Sequence, residues 1–104
     1  MVTVGMNYTV LEGKEAPFEQ KCGLVIQALN QTPGHQRTRL LKDRFNPLSY
    51  IIISEWSERA DFDAFISSPA FRKVTDWGKE AILAARPSHN VYETTAETMS
   101  SAMR

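Results

Sequence analysis

Residues 2–11 read VTVGMNYTVL. Apolar side chains stand at every second position from Val2 to Val10, and small or polar side chains stand between them. Strict alternation with β-branched residues is typical of a strand, because successive side chains of a strand point to opposite faces of its sheet. The alternation predicts a first strand with one apolar face and a second face that includes Gly5 and Asn7.

The rest of the chain continues with helical and strand patterns in turn. The predicted elements are a strand at 2–11, a helix from Phe18 to Leu29 ended by Thr32-Pro33-Gly34, strands at 35–42 and 48–56, helices from Ser57 and Ser68 to about Ala85, and a strand at 88–94. This order is typical of the ferredoxin-like split βαβ fold. We therefore predict an α+β protein with one antiparallel four-stranded sheet and its helices on one face. We expect a single domain over residues 1–94 and a C-terminal tail at 95–104.

Composition narrows the range of partners. Twelve basic and twelve acidic residues give a formal net charge of zero, which disfavours a nucleic-acid binder. The longest apolar runs have three residues, so no membrane span is expected. Cys22 is the single cysteine and has no internal disulfide partner, which favours a reducing, cytoplasmic setting.

The open face of the predicted sheet needs a cover. We assign to it the apolar residues of strands one and three, namely Val2, Val4, Met6, Tyr8, Ile51 and Ile53. An apolar sheet face of this size does not stay exposed to water. A second copy of the chain is the simplest cover, so the sequence predicts a homodimer whose sheets face each other.

The same assignment turns a second set of side chains toward the helices. It contains Asn7 with Ile52, Ser54 and Trp56, facing the helical aromatics Phe65, Phe71 and Trp77. An aromatic pocket with a few polar groups is the usual form of a small-molecule site, and Gly5 leaves room beside Asn7. In the alternative interpretation these aromatics are simply core, and Asn7 bonds to backbone or water.

Common catalytic motifs are absent from the sequence. His35 and His89 lack the spacing of a local metal site, so no metal is expected. Cys22 stands on the apolar stripe of its helix, where a core role is expected. Glu58, Asp61 and Asp63 are interpreted as a solvated helix face.

Several segments together resemble the antibiotic biosynthesis monooxygenase family of dimeric α+β barrels. They are the first strand with Asn7, Leu11-Glu12-Gly13-Lys14-Glu15, Pro33-Gly34, Leu40-Leu41-Lys42-Asp43, Ile52-Ile53-Ser54-Glu55-Trp56-Ser57, the run Phe62 to Pro69, and Val91-Tyr92-Glu93. The resemblance spans residues 2 to 93. It implies cofactor-independent oxidation of aromatic polyketides or quinols, or heme degradation.

Both known residue sets of the family are matched in part. Heme-degrading members place an Asn on the first strand, matched by Asn7, but Phe65 stands where their Trp is expected, and Val74 or Thr75 where their axial His is expected. Polyketide-oxidising members have an Asn and a Trp on strand three and a hydroxyl-bearing aromatic nearby. Trp56 matches that Trp, while Ile52 and Phe62 replace the other two residues.

Three functions follow from this resemblance. The first is a cofactor-independent monooxygenase that binds a small aromatic, quinol or polyketide-like substrate between sheet and helices. Its expected catalytic residues are Asn7 and Trp56, and its expected substrate-binding residues are Ile52, Ser54, Phe62, Phe65, Phe71 and Trp77. The second is a heme-binding or heme-degrading oxygenase, which is the one function among the three that needs a cofactor. The third is a non-catalytic small-molecule-binding or stress-response dimer.

Overall fold

The computed structural model describes residues 1–74, 82–85 and 87–96 of the chain. Its elements are β1 (Val2–Thr9), α1 (Glu15–Asn30), β2 (His35–Lys42), β3 (Ser49–Trp56), α2 (Arg59–Ile66), α3 (Pro69–Val74) and β4 (Ser88–Glu93). The predicted order of strands and helices is confirmed. The predicted tail at 95–104 lies almost wholly outside the described residues.

The four strands form one antiparallel sheet in the order β2-β3-β1-β4. β2 and β3 form an antiparallel hairpin, with an irregularity in their register between His35 and Arg37. β1 and β3 are not consecutive strands in the chain, but they are neighbours in the sheet, which is the arrangement of a split βαβ unit. The predicted ferredoxin-like α+β fold is therefore confirmed.

The sheet face that packs on the helices carries the even-numbered residues of both central strands. In the β1–β3 register Val4 lies opposite Ser54, and Tyr8 lies opposite Tyr50. Opposed residues of antiparallel strands share a face, and all four of these residues are buried. Four residues expected on the open face, which are Val2, Val4, Met6 and Tyr8, therefore face the helices. The prediction was wrong because alternation separates the two faces of one strand but leaves the pairing of faces between strands undetermined.

The open face of the sheet, which lacks helices, carries the odd-numbered residues of β1 and β3. Ile51 and Ile53 lie there as predicted and are half-buried, and Leu41 and Tyr92 add apolar area at 38% and 56% exposure. A Cβ built at Gly5 would lie 3.3 Å from Ile51 Cδ1 and 3.9 Å from Tyr92 Cε2. Gly5 therefore lets two larger side chains close over the middle of β1.

One stripe of α1 packs on the sheet. Phe18, Cys22, Val25 and Leu29 are its buried residues, and their spacing of four, three and four matches the helical period. Gly34 follows the helix with a φ of +83°, a left-handed conformation that favours glycine. This turn sets the direction in which the chain enters β2.

The last predicted helix is shorter than the sequence pattern indicates. α3 is described from Pro69 to Val74, and residues 75–81 lie outside the described part. Leu83 forms an antiparallel bridge with Val10, and Ala84 N–H donates to the carbonyl of Thr9. The expected helix end near Ala85 is therefore wrong, because this segment runs along β1. None of the described helices has the length and apolar composition needed to cross a membrane.

Candidate functional site

A cluster of aromatic rings fills the space between α2 and one end of the sheet. Trp56 is fully buried at its centre, with ring centroids 5.8 Å from Phe62, 5.7 Å from Phe65 and 5.3 Å from His35. Phe71 packs on Phe65 at 5.2 Å in an edge-to-face arrangement. Such geometries are the favoured ones for aromatic pairs, so the cluster is a well-packed part of the core.

The indole nitrogen of Trp56 has a buried partner. Its Nε1–H donates to Ser54 Oγ at 2.9 Å, and Ser54 is 3% exposed. The two residues are separated by one position on β3 and therefore share a face. The contact explains why a hydroxyl stands in an apolar core, because it satisfies a buried donor.

Most residues expected to be catalytic or to bind substrate belong to this packed core. Four of them are at most 3% exposed and do not line the pocket that opens between the end of α1 and α2, namely Ile52, Ser54, Trp56 and Phe62. Phe65 lies at that pocket's wall. Phe71 is half-buried behind Phe65, and Trp77 lies outside the described residues. The space expected to be a pocket between sheet and helices is occupied by the chain's own side chains.

Asn7 lies on the opposite side of the sheet from Trp56. It pairs with Ile51 in the β1–β3 register, is exposed, and faces away from the helices. The prediction that Asn7 points toward the helices is therefore wrong, for the reason of strand pairing given above. Asn7 instead borders a depression of about 310 Å³ on the open face, together with Leu41, Lys42, Asp43, Ser49, Tyr50 and Ile51.

The two histidines lie at the margins of the aromatic cluster. His35 Nε2 shares a hydrogen bond of 2.6 Å with Thr38 Oγ1, and partial burial lowers the pKa of His35 below its usual value. His89 is exposed on β4 and contacts Phe62 edge-on, with centroids 5.6 Å apart. Neither histidine lines the pocket beside Phe65.

A pocket of about 320 Å³ opens between the end of α1 and α2. We call it the α1–α2 pocket. Its walls are Gln31, Thr32, Pro33, Asp61, Ala64, Phe65 and Ser68. The volume is at the lower end of the range for small-molecule sites, which begins at about 300 Å³. The pocket therefore suits a ligand of one or two rings, with Phe65 as its aromatic contact.

Asp61 is the functional candidate that sequence reasoning missed. In the sequence it belongs to a run of acidic residues that is typical of a solvated helix face. In the structure its side chain is half-buried at the pocket wall. A Cβ built at Gly34 would lie 2.2 Å from Asp61 Cγ and 2.6 Å from Asp61 Cβ. The absence of a side chain at Gly34 therefore lets α2 approach the turn after α1. The one sequence signal for this contact is the turn glycine, which does not reveal its partner.

A polar contact lies at the other end of β3. Tyr50 Oη donates to Glu19 Oε2 at 2.6 Å, and burial together with this carboxylate raises the pKa of Tyr50 above its usual value. Burial, followed by the nearby charge of Glu19, raises the pKa of Cys22 to about 12. A thiol in that state is a poor nucleophile, which agrees with a core role for Cys22.

Comparison with known proteins identifies the family. The family described as Antibiotic biosynthesis monooxygenase matches residues 1–77. The chain belongs to the antibiotic biosynthesis monooxygenase family. The match covers β1 through α3 and so includes both the aromatic cluster and the α1–α2 pocket.

Solved structures of the family have the same fold. A structure from Deinococcus radiodurans, provisionally described as an antibiotic biosynthesis monooxygenase, superposes with a TM-score of 0.84 at 17% identity over 95% of this chain and 97% of that chain. SnoaB, a cofactor-independent oxygenase from Streptomyces nogalater, gives a TM-score of 0.80 at 25% identity over 95% of this chain and 96% of its own.

Two curated relatives have names that refer to heme. Over 87 residues the chain is 36% identical to a protein of Haloarcula marismortui and 34% identical to one of Halobacterium salinarum, both provisionally named heme-binding proteins. The matched segment covers 84% of this chain but 13% and 18% of these two relatives. Most of each relative lies outside the match.

The α1–α2 pocket does not fit heme. Heme iron takes an axial ligand from His, Cys, Met or Tyr, and the pocket walls contain none of these residue types. In the part of the chain that the structure describes, no group of three His, Cys, Asp or Glu residues could hold a metal ion. Within the walls of this pocket no side chain could therefore serve as the axial ligand of heme iron.

Proposed function

We propose that this protein is a cofactor-independent monooxygenase that oxidises a small aromatic, quinol or polyketide-like substrate in the α1–α2 pocket. The observation that carries the proposal is the position of Phe65, which joins the buried aromatic cluster on one side and lines the pocket on the other. A flat ring bound against Phe65 would contact a rigid surface, since Trp56 and Phe71 hold Phe65 from behind. Membership of the family supports the reaction type.

The chemistry requires the substrate to supply every electron. When a ring CH₂ becomes C=O, one atom of O₂ is inserted, the other leaves as water with the two hydrogens, and the carbon gives up the four electrons that O₂ takes. The protein then has to bind an electron-rich ring and to limit its contact with water. The apolar wall formed by Pro33, Ala64 and Phe65 is suited to the first of these tasks.

In this proposal the residues expected from sequence divide into two groups. Phe65 contacts the substrate, while Trp56, Ile52, Ser54 and Phe62 hold Phe65 and the helix in position from within the core. Asn7, on the far side of the sheet, takes no part in the α1–α2 pocket.

Oxygen uptake by the purified protein tests the reaction. We expect saturable O₂ consumption with quinols of one or two rings in the presence of a metal chelator and without added flavin. Ala64→Trp fills the pocket from an exposed wall position and should lower turnover about tenfold or more. Ala60→Trp is the matched control, because Ala60 is exposed one turn earlier on α2 and does not line the pocket.

Other outcomes would contradict the proposal. Saturable binding of aromatics without O₂ uptake would instead support a binding-only protein. A titration with hemin that gave one-to-one binding, followed by bleaching of the heme absorbance with reductant in air, would support the heme alternative. Equal turnover by Ala64→Trp and Ala60→Trp would place any oxidation outside this pocket.

We also propose that a second copy of the chain covers the open face of the sheet. The support is the partly exposed apolar group of Ile51, Ile53, Leu41 and Tyr92 on that face. Sedimentation should give twice the chain mass of 11.8 kDa, and Leu41→Asp should shift the protein toward monomer because it buries a charge in the interface. Phe45→Asp is the control, since Phe45 is 90% exposed in the β2–β3 loop. A wild-type monomer at micromolar concentration would exclude this assembly.

A further inference from the structure

We propose that Asp61 selects phenolic ligands for the α1–α2 pocket by accepting a hydrogen bond from their hydroxyl group. This role rests on the proposed function, since it names the ligand class of the same pocket. Asp61 would be the hydrogen-bond acceptor that a hydroxylated ring meets when it lies against Phe65. Both residues line the pocket and stand one helical turn apart on α2.

The environment of Asp61 differs from that of its acidic neighbour. Asp63 is exposed and lies 3.6 Å from Arg59 in an ion pair. Asp61 is half-buried at the pocket wall, and the described residues give its carboxylate neither a hydrogen-bond donor nor a cation. A carboxylate without a protein partner keeps its capacity to accept hydrogen bonds from a ligand. A ligand that donates a hydrogen bond would use that capacity.

The hydroxyl groups of the pocket are already engaged within the protein. Ser68 Oγ donates to the carbonyl of Phe65 at 2.6 Å and accepts the N–H of Phe71 at 3.2 Å. Thr32 Oγ1 donates to the carbonyl of Ala28 at 2.8 Å. Each hydroxyl therefore has its proton committed. A ligand group that only accepts hydrogen bonds finds no hydroxyl donor at these two positions.

These two facts define the ligand chemistry. An ionised carboxylate can only accept hydrogen bonds, so a ligand that engages Asp61 must present an N–H or O–H group. The apolar surface of Pro33, Ala64 and Phe65 favours a ligand in which this group is attached to a ring. A phenolic hydroxyl meets both requirements, whereas the corresponding methyl ether has the same ring but no proton to donate.

Ligand binding tests the selection independently of turnover. The probes are 2-naphthol and 2-methoxynaphthalene, titrated into the full chain by calorimetry. We expect the wild type to bind 2-naphthol about ten- to hundredfold more tightly, as a hydrogen bond to a charged acceptor implies. Asp61→Ala should bind both probes equally, and Asp61→Asn, which keeps the side-chain size, should retain part of the preference because a neutral amide oxygen is a weaker acceptor. Asp63→Asn, on the exposed face of the same helix, should keep the full preference.

The outcomes of these titrations distinguish the role of Asp61 from the function of the α1–α2 pocket as a binding site. If the wild type binds both probes equally and Ala64→Trp abolishes binding, the pocket stands and the role of Asp61 is overturned. If neither probe binds the wild type, both the pocket and the role of Asp61 are wrong. If Asp61→Ala and Asp61→Asn keep the wild-type preference while folded by circular dichroism, another group recognises the hydroxyl.

Discussion

Gly34 offers a direct test of the close contact that places Asp61. Replacing it with alanine has two separate costs. The backbone φ of +83° penalises any Cβ by about 1–2 kcal/mol. The new Cβ would also lie 2.2 Å from Asp61 Cγ and 2.6 Å from Asp61 Cβ. Rotation of the Asp61 side chain relieves the first contact but not the second, because Asp61 Cβ is fixed to the helix backbone.

Gly13→Ala supplies the control for the backbone cost. Gly13 has nearly the same φ, +85°, but a Cβ built there has nothing within 4 Å. Both variants gain about 0.4–1 kcal/mol from the lower entropy of the unfolded chain, so Gly13→Ala should destabilise by about 1 kcal/mol. Gly34→Ala carries an additional overpacking cost of about 1–3 kcal/mol, because α2 or the turn must move. We therefore expect a total of about 2–4 kcal/mol at Gly34.

Urea denaturation of the two variants measures the difference. The midpoints give the free energies of unfolding when the slopes agree with that of the wild type. The double variant Gly34→Ala with Asp61→Gly should recover most of the additional cost, once the separate cost of Asp61→Gly is subtracted in a double-mutant cycle. Equal destabilisation at Gly13 and Gly34, within about 0.5 kcal/mol, would refute the close approach of α2 to this turn.

Three further predictions concern the core and its margins. Ser54→Ala leaves the buried indole N–H of Trp56 without its acceptor and should cost about 1–3 kcal/mol in urea denaturation, whereas the exposed Ser67→Ala should change stability by less than about 0.5 kcal/mol. Burial lowers the pKa of the His35 imidazole in the folded chain. As the pH falls, the unfolded chain therefore binds a proton at this imidazole at a higher pH than the folded chain does. The free energy of unfolding should accordingly fall as the pH drops below about 6.5. His35→Gln should weaken that dependence, and an unchanged slope would contradict it. Cys22, fully buried with a pKa raised to about 12, should resist a thiol reagent in the native state and react after unfolding in urea.

Local sequence patterns were sufficient to predict the strands and helices, but not to predict where all of them end. The alternation in β1, the helical spacing from Phe18 to Leu29 and the turn at Gly34 each have a local physical cause, and each element was found where the pattern predicts it. The segment from Ile82 to Ala85 shows the limit of such patterns. Its apolar spacing fits a helix, but its backbone groups bond to β1 instead, a tertiary interaction that overrides local preference.

The candidate site depended on contacts between segments far apart in the chain. Phe65 was predicted at the site and does line the pocket, while Trp56 and Ser54 prove to be core, where the indole finds its acceptor. Asp61 was missed because its acidic neighbours resemble a solvated surface, and nothing in the sequence connects it with Gly34, 27 positions earlier. Burial of a polar side chain is decided by what packs against it, which is not a local property.

The sequence by itself determined the α+β class, the order of strands and helices, and the family resemblance, because periodicity and turn residues act over a few positions. The tertiary structure decided which face of β1 joins which face of β3, and with it that Asn7 and Trp56 lie on opposite sides of the sheet. A strand's two faces are equivalent until a neighbour pairs with it, since a shift of one residue exchanges every side chain between them. The tertiary structure also decided the α1–α2 pocket. Asp61 of α2 reaches the pocket wall because Gly34, far from α2 in the sequence, has no side chain to keep the helix away.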